Sequence, residues 1–345
     1  MQAPNRCVDT MQWRELERAI ADKKTGSLTT WHATYIVWLT LAMLIISSQL
    51  FFIVLILAKR TLRMQLKNLL IVNICVVNLM MGGFIMPTVI HLILDSSEDE
   101  CVLRMTVRVL NDYLQPALSV LTAISLVIDR FLFIMQKPIT IKWLRIVVSV
   151  LLIIAPWVIG VLLALPLFFK SFEMGDPETG CVQEVNLWNI VCAHVLCFVL
   201  PSIALFVLAT LSGLCSTNKK KVPAKELMYD CRDKPVSFKG ESIKVVVFVC
   251  FMTIFPEVPY FVISLLRYTT TCDQPYCLDF FQGLKVSVWL RAAKALVFPF
   301  IWLWFTDIKA AIICRPTGAV DEDDDISDDQ PTDMSQQDTM LLRYR

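Results

Sequence analysis

The sequence is poor in charged residues. Asp, Glu, Lys and Arg make up 18% of its 345 residues, against ~25% in an average soluble domain. Hydrophobic residues account for 56%, above the roughly 45–50% of soluble proteins, and the mean hydropathy is +0.60. Because the apolar residues come in long blocks, the composition excludes an ordinary soluble domain and indicates a polytopic membrane protein.

The chain also lacks the short motifs of bond-breaking chemistry. It has no Walker-type glycine loop, no HExxH, no CxxC and no nucleophile elbow. Its three histidines, His32, His91 and His194, are scattered, so we expect no metal site, no cofactor and no enzyme activity. The net charge of +1 gives no indication of nucleic-acid binding. We expect His194 to be a hydrogen-bonded core residue, with a proton switch as the alternative.

A secretory signal is missing as well. Residues 1–30 are polar and have no apolar core, so the first membrane helix is expected to act as its own insertion signal. We predict an extracellular tail over residues 1–33 and a membrane domain over 34–315. Residues 316–345 are rich in Asp and predict a disordered acidic cytoplasmic tail.

Seven apolar stretches, each long enough to cross a bilayer, follow one another. They are Thr34–Ala58, Asn68–Leu94, Cys101–Met135, Trp143–Phe169, Leu187–Cys215, Glu241–Leu266 and Phe281–Phe305. None alternates like a strand, and helices satisfy their own backbone groups in lipid. The sequence therefore predicts an all-α bundle of seven transmembrane helices.

A shorter segment after the seventh stretch predicts an interfacial eighth helix. Residues 306–314 are too few and too polar to span, and Ile308, Ile312 and Ile313 form one apolar side. Cys314 at its end is a candidate palmitoylation site. The alternative is an unmodified interfacial cysteine.

The loops predict the orientation in the membrane. Basic residues crowd the odd loops, over 59–67, 137–145 and 219–239, while the even loops over 95–100 and 173–184 are acidic. Basic loops stay in the cytoplasm, so the amino terminus is expected outside, although residues 1–33 also carry basic residues. Five cysteines then lie on the oxidising side, namely Cys7, Cys101, Cys181, Cys272 and Cys277. Cys75, Cys192, Cys197 and Cys250 lie within apolar runs and are expected to be small buried residues.

The third stretch carries a polar seam. Asp112, Ser119 and Arg130 are spaced by seven and eleven residues, which keeps them on roughly one face of a regular helix. Charged groups in membrane helices usually face the bundle interior. The alternative for Asp129-Arg130 is an ordinary interfacial anchor.

Several motifs follow in a fixed order. They are Asn68-Leu-Leu-Ile-Val-Asn73 through Asn78-Leu79, then Asp129-Arg130-Phe131, Trp157 with Pro166, Pro201, Pro259-Tyr260, and Phe298-Pro299-Phe300-Ile301-Trp302. Over about residues 34–315 this order resembles the rhodopsin-like G-protein-coupled receptor family, with its NLLxxNLAxADL, DRY and NPxxY motifs. The sequence departs from the family at Gln49, Asn78, Ala209, Glu257 and Trp302. These positions normally transmit activation, so the departures put conventional activation in question but not the fold.

The resemblance implies a plasma-membrane receptor that transduces an extracellular ligand, a peptide or an amine, to a heterotrimeric G protein. Its partners are then the ligand, the G protein and membrane lipid, without nucleic acid. Implied site residues are Asp112, Gln115, Glu257 and Arg291 for the ligand, Asp129, Arg130 and Phe131 for coupling, and Asn78, Ser119 and Lys294 for a polar core. The alternatives are a receptor-like protein that binds without signalling and a transporter or channel, although the repeats typical of transporters are not evident.

The resemblance also implies particular pairs. Asp112 pairs either with a ligand ammonium or with Arg291, and we favour the internal pair because a buried charge needs a partner. Lys294 stands where the family has a sodium-site residue and is expected to replace the ion and to pair with Glu257. The alternative is that Lys294 faces a water-filled cavity; Ala292, not Lys294, holds the position of the opsin lysine.

Further pairs concern the two ends of the bundle. The resemblance implies a Cys101–Cys181 disulfide, and Cys272 and Cys277 could form a second, local bridge. Arg130 is expected to pair with Asp129 in the resting state. Its usual acidic partner on the sixth helix is at best displaced to Glu241, which predicts notable basal activity.

Overall fold

The computed structural model describes residues 28–94, 101–134, 142–171, 187–218, 225–229, 235–239, 243–269 and 274–313. Helix one is Leu28–Ala58, and a single turn, Arg60–Arg63, follows it. Helix two (66–94) joins Leu66–Met80, Met81–Ile85 and Met86–Leu94, and helix three (101–134) joins Cys101–Val109, Leu110–Leu114 and Gln115–Ile134. Helix four is Lys142–Ser171, and helix five (187–218) joins Leu187–His194, Val195–Val199 and Leu200–Asn218.

Helix six is broken by a proline. Its lower part is Ile243–Ile254 and its upper part is Glu257–Thr269, with Phe255 and Pro256 as a turn between them. Proline lacks the amide hydrogen that a continuous helix needs. Helix seven is Gln274–Trp302, and helix eight is Thr306–Ile313.

The predicted all-α class with seven helices and a short eighth is confirmed. Helix one begins at Leu28, six residues before the expected Thr34, and helix seven begins at Gln274, seven residues before the expected Phe281. The other ends lie within three residues of those predicted. Six helices are long and apolar enough to cross a membrane, and the seventh reaches this only together with helix eight, from which it is bent by 77°. Helix seven also carries two charged residues, Arg291 and Lys294, in this part.

One small element was not expected from the sequence. In the loop between helices five and six, strand β1 (Lys225–Tyr229) pairs antiparallel with strand β2 (Pro235–Lys239), and Leu227 lies opposite Ser237. The sequence predicted only a basic connecting loop there. The two-stranded hairpin leaves the helical class of the bundle unchanged.

Helix three is the centre of the bundle. In its membrane-spanning part 67% of helix three is buried inside the protein, whereas only 11% of the corresponding part of helix four is buried. Helix four therefore lies at the periphery. Apolar clusters pack against its two ends: Val109, Leu114 and Leu118 against helices four and five, and Val120 and Val127 against helices five and six. Side chains of helix three therefore reach most of the other helices.

Helices two, three and five each contain a π turn, at Met81–Ile85, Leu110–Leu114 and Val195–Val199. A π turn takes one residue more than an α turn and rotates the side chains that precede it. The regular spacing assumed for the polar seam of helix three is therefore interrupted at Asp112, which lies inside such a turn.

Helices one and two approach closely at Gly82. A Cβ atom there would lie 2.8 Å from Ile45 Cγ2 and 3.2 Å from the carbonyl oxygen of Ala42. We expect Gly82→Ala to lower the stability of the protein by about 1–3 kcal/mol, because a packed core does not yield to an added methyl group without strain. Thermal unfolding of the purified protein measures this.

The neighbouring glycine provides a matched control. A Cβ atom at Gly83 meets only Ile46 Cγ1, at 4.0 Å, and this position faces outward. Gly83→Ala should leave the melting temperature unchanged or raise it, since alanine favours a helix over glycine. Equal effects of the two substitutions would contradict the close approach.

Candidate functional site

A buried ionic triad lies between helices six and seven. Glu257 is the first residue of the upper part of helix six, and Arg291 and Lys294 are three residues apart on helix seven. Residues at this spacing share a helix face. Glu257 Oε1 lies 2.5 Å from Lys294 Nζ, and Glu257 Oε2 lies 2.8 Å from Arg291 Nε. The cation side chains are 0% exposed and the carboxylate is 2% exposed.

The predicted pair of Lys294 and Glu257 is thus confirmed. Lys294 Nζ also donates to Ser119 Oγ at 3.0 Å, which joins helix three to helix seven. Asn78, the third predicted member of this polar core, is 1% exposed, but its side-chain amide makes no hydrogen bond to the other described residues. The lysine therefore occupies the centre of the bundle with a carboxylate and a hydroxyl as partners.

Arg291 crosses to helix three, as predicted. Its Nη1 donates to Asn111 Oδ1 at 3.0 Å, and its Nη2 donates to the carbonyl of Asn111 at 2.8 Å and to Gln115 Oε1 at 2.5 Å. The guanidinium carbon lies 4.3 Å from the centroid of the Tyr260 ring, a cation–π contact. This one side chain connects helices three, six and seven.

The predicted pair of Asp112 and Arg291 is wrong. Asp112 Oδ1 accepts from the Tyr260 hydroxyl and from Asn111 Nδ2, and its Oδ2 lies 3.8 Å from Arg108 Nε. The π turn of helix three turns Asn111, rather than Asp112, toward Arg291. Sequence reasoning did not assign Arg108, Asn111 or Tyr260 to the site. For Tyr260, the signal in the sequence was its place directly after Pro259 on helix six.

A small cavity lies beside the triad. It is lined by Asp112, Pro116, His194, Phe198, Glu257, Tyr260 and Phe261 and holds about 10 Å³. That is close to the space that one water molecule needs. The side chains that line this cavity therefore leave room for about one water molecule between helices three, five and six.

His194 is the hydrogen-bonded core residue that was expected. It is 3% exposed, its Nδ1 lies 2.9 Å from the carbonyl of Ile190, and its Nε2 lies 3.4 Å from Ser264 Oγ. Its ring packs edge-on against Tyr113 at 4.9 Å between centroids. The residue joins helix five to helices three and six.

Asp129 and Arg130 form the predicted pair at the end of helix three. Arg130 Nη2 and Nε lie 2.8 and 3.0 Å from Asp129 Oδ2. The side chains are 11% and 14% exposed for Arg130 and Asp129, and Phe131 beside them is half-buried. The guanidinium is thereby held at the surface of this end of the bundle.

A second buried ion pair fixes helix eight. Lys67 Nζ lies 3.0 Å from Asp307 Oδ1, and both side chains are at most 1% exposed. Asn68 Nδ2 donates to Asp307 Oδ2 at 2.8 Å, and the ammonium lies 5.3 Å from the Phe305 ring. Sequence reasoning read Lys67 only as a topology signal. An acid one residue into a short helix, near a loop lysine, was the available signal.

Helix eight also packs into the fold and does not lie only on its surface. Lys59 Nζ donates to the carbonyl of Ala311, and Ile308 is fully buried, whereas Ile312 and Ile313 are exposed. The predicted apolar side is therefore divided between the core and the surroundings.

The structure describes some of the cysteines for which the sequence made predictions, and not others. Cys75, Cys197 and Cys250 are free and buried, and Cys192 is free and partly buried. Cys181, Cys272 and Cys314 lie outside the described residues, as do the side chains of Cys101 and Cys277. The two disulfides and the lipidation site stay predictions, and Glu241 also lies outside the described part.

Comparison with known proteins agrees with this architecture. The chain has no match among curated proteins. The family model described as 7 transmembrane receptor (rhodopsin family) matches residues 48–302, which is more than half of the 345 residues. The matched region runs from helix one to the end of helix seven and includes the triad and the Asp129–Arg130 pair. The chain therefore belongs to the rhodopsin family of seven-transmembrane receptors.

Proposed function

We propose that the protein is a receptor of the plasma membrane that passes an extracellular signal to a heterotrimeric G protein. The observation that carries this proposal is the Asp129–Arg130 pair, held partly exposed at one end of helix three. The basic loops 59–67 and 219–239 follow helices one and five, which by the alternation of the spans end on the same side as helix three. A basic face with a partly exposed arginine suits an acidic or polar segment of a protein partner.

The proposed topology follows from the same charges. The basic end faces the cytoplasm, so the residues before helix one are outside and the acidic tail 316–345 is inside. Ligand contacts are proposed from Asp112, Gln115, Glu257 and Arg291, which lie together between helices three, six and seven. In this arrangement Asp112 is engaged by Tyr260, Asn111 and Arg108, so an amine held by Asp112 alone is no longer the favoured ligand.

Nucleotide exchange without added ligand tests coupling. In membranes that contain the receptor and a G protein, we expect basal GTPγS binding above that of mock-transfected membranes, because the usual acidic partner of Arg130 on the sixth helix is at best displaced to Glu241. Arg130→Ala should return exchange to the mock level. Asp129→Asn should raise it, since it removes the negative charge that holds the guanidinium.

The control is a polar residue away from this face. Thr40 on helix one is exposed and its hydroxyl donates to its own helix, at Ile36, over 2.7 Å. Thr40→Val should leave exchange unchanged. Basal exchange equal to mock membranes, at verified surface expression and with each major G-protein class, would count against coupling and favour a receptor that binds without signalling.

A further inference from the structure

The triad in the middle of the bundle holds more positive than negative charge. Arg291 and Lys294 share the one carboxylate of Glu257, with one oxygen for each cation. All three side chains are buried. Buried charges are normally matched by opposite charges, so this group is one carboxylate short.

Asp112 does not supply the missing charge. Its oxygens are engaged by Tyr260, Asn111 and Arg108, and the ion pair it makes is with the arginine of its own helix. It forms no ion pair with either cation of the triad, whose shared carboxylate is Glu257.

The remaining partners of the two cations are neutral. Arg291 donates to the amide oxygen of Gln115 and to two oxygens of Asn111, and Lys294 donates to the Ser119 hydroxyl. A guanidinium presents two parallel donors that match a carboxylate better than single amide oxygens. The excess positive charge is thus stabilised by hydrogen bonds to neutral groups but is not neutralised.

The sign of this excess decides which ligand charge the site favours. An added ammonium would raise the excess and would have to displace a cation that is tethered to helix seven. An added carboxylate would complete two one-to-one pairs, Lys294 with Glu257 and Arg291 with the newcomer. The cavity beside Glu257 has an apolar side formed by Pro116, Phe198 and Phe261, which suits the apolar body of a ligand. Its polar side is formed by Asp112, His194, Glu257 and Tyr260, and both carboxylates there already face cations of the bundle.

We propose that the site between helices three, six and seven binds a monocarboxylic acid with an apolar body, whose carboxylate pairs with Arg291. This deepens the proposed receptor function by naming the ligand class. Tyr260 connects the two features, because its ring lines the cavity and stacks on the guanidinium. Since the present cavity holds about 10 Å³, binding must move helix six relative to helix seven, and the ligand thereby acts on the helix that Glu257 holds.

Thermal unfolding of the purified full-length protein in neutral detergent tests the proposal. The probes are the sodium salts of straight-chain acids from acetate to octanoate, each compared with its neutral primary amide. We expect at least one carboxylate to raise the melting temperature saturably, by about 3 °C, and its amide to have no effect. Equal effects of acid and amide, or no effect of any acid, would overturn the proposal.

A variant with a built-in carboxylate tests the charge argument without any ligand. Gln115 is 1% exposed, and its Oε1 already accepts from Arg291. Gln115→Glu keeps the shape and adds the missing negative charge, so it should raise the melting temperature and abolish the response to the carboxylate. The control Ser287→Ala removes a buried hydroxyl that bonds only to its own helix and should leave the response intact.

These unfolding measurements do not depend on whether the receptor couples to a G protein. A Gln115→Glu protein that is less stable than the wild type would overturn the charge argument even if the receptor activates a G protein. Absent nucleotide exchange would leave carboxylate binding standing, because the unfolding measurement contains no G protein.

Discussion

Glu257→Gln should be the most damaging single substitution in the core of this receptor. It leaves Arg291 and Lys294, both fully buried, without a counter-charge. Breaking one side of a buried ion pair costs ~3–5 kcal/mol, and here two cations lose their partner together. We expect little protein at the cell surface and a large fall in the melting temperature of what can be purified.

Lys294→Met should cost much less. It leaves Glu257 paired with Arg291 at 2.8 Å, one charge against one, and the buried methionine is close in size to the lysine stem. Added to Glu257→Gln it should recover part of the loss, because one of the two unpaired cations is removed. It cannot recover all of it, since Arg291 remains.

Unfolding temperatures and surface expression of the two single variants and the double variant form a cycle that measures the coupling. Ser287→Ala, at a buried position of the same helix, controls for disturbance of helix seven. A Glu257→Gln protein as stable as the wild type, or Lys294→Met as damaging as Glu257→Gln, would contradict the shared carboxylate.

Asp307→Asn should loosen helix eight. The substitution keeps an oxygen for Asn68, which donates over 2.8 Å, but leaves the fully buried Lys67 ammonium without its carboxylate at 3.0 Å. We expect a loss of ~3 kcal/mol in the free energy of unfolding. In the cell, lower surface expression should accompany it.

The double variant distinguishes this pair from the triad. Lys67 and Asp307 are one cation and one carboxylate, so Lys67→Met combined with Asp307→Asn should recover most of the loss, whereas the corresponding double variant of the triad recovers only part. Lys309→Ala, which removes an exposed charge from the same helix, should have little effect. Additive losses at Lys67 and Asp307 would show that the pair does not stabilise the fold.

The ion pair of Lys294 with Glu257 could be predicted from the sequence because a general constraint applies to charges in membrane helices. A charged side chain within an apolar helix must find a partner inside the bundle, and the spacing of Arg291, Lys294 and Phe298 put them on one face. Helix seven was therefore predictable as the source of buried cations. That Glu257 pairs with two cations could not be predicted, because it depends on side chains that meet across three helices.

The partner of Asp112 shows where periodicity is insufficient. A regular helix would keep Asp112 in line with Ser119 and Arg130, and the π turn Leu110–Leu114 interrupts this line. No residue in that segment signals a π turn, since it arises from packing against the neighbouring helices. Asn111 thus contacts Arg291, and Asp112 contacts Tyr260.

The sequence by itself determined the seven helices, their order and the buried status of their charges, because the bilayer admits only apolar spans and requires internal partners for ions. Only the tertiary structure decided that Arg291 and Lys294 share Glu257, that Lys67 meets Asp307, and that the loop between helices five and six forms a hairpin. The hairpin joins neighbouring segments, whereas the ionic contacts join segments distant in the chain. Their geometry is set by helix rotation and by the bend of 77° before helix eight, which local sequence patterns do not encode.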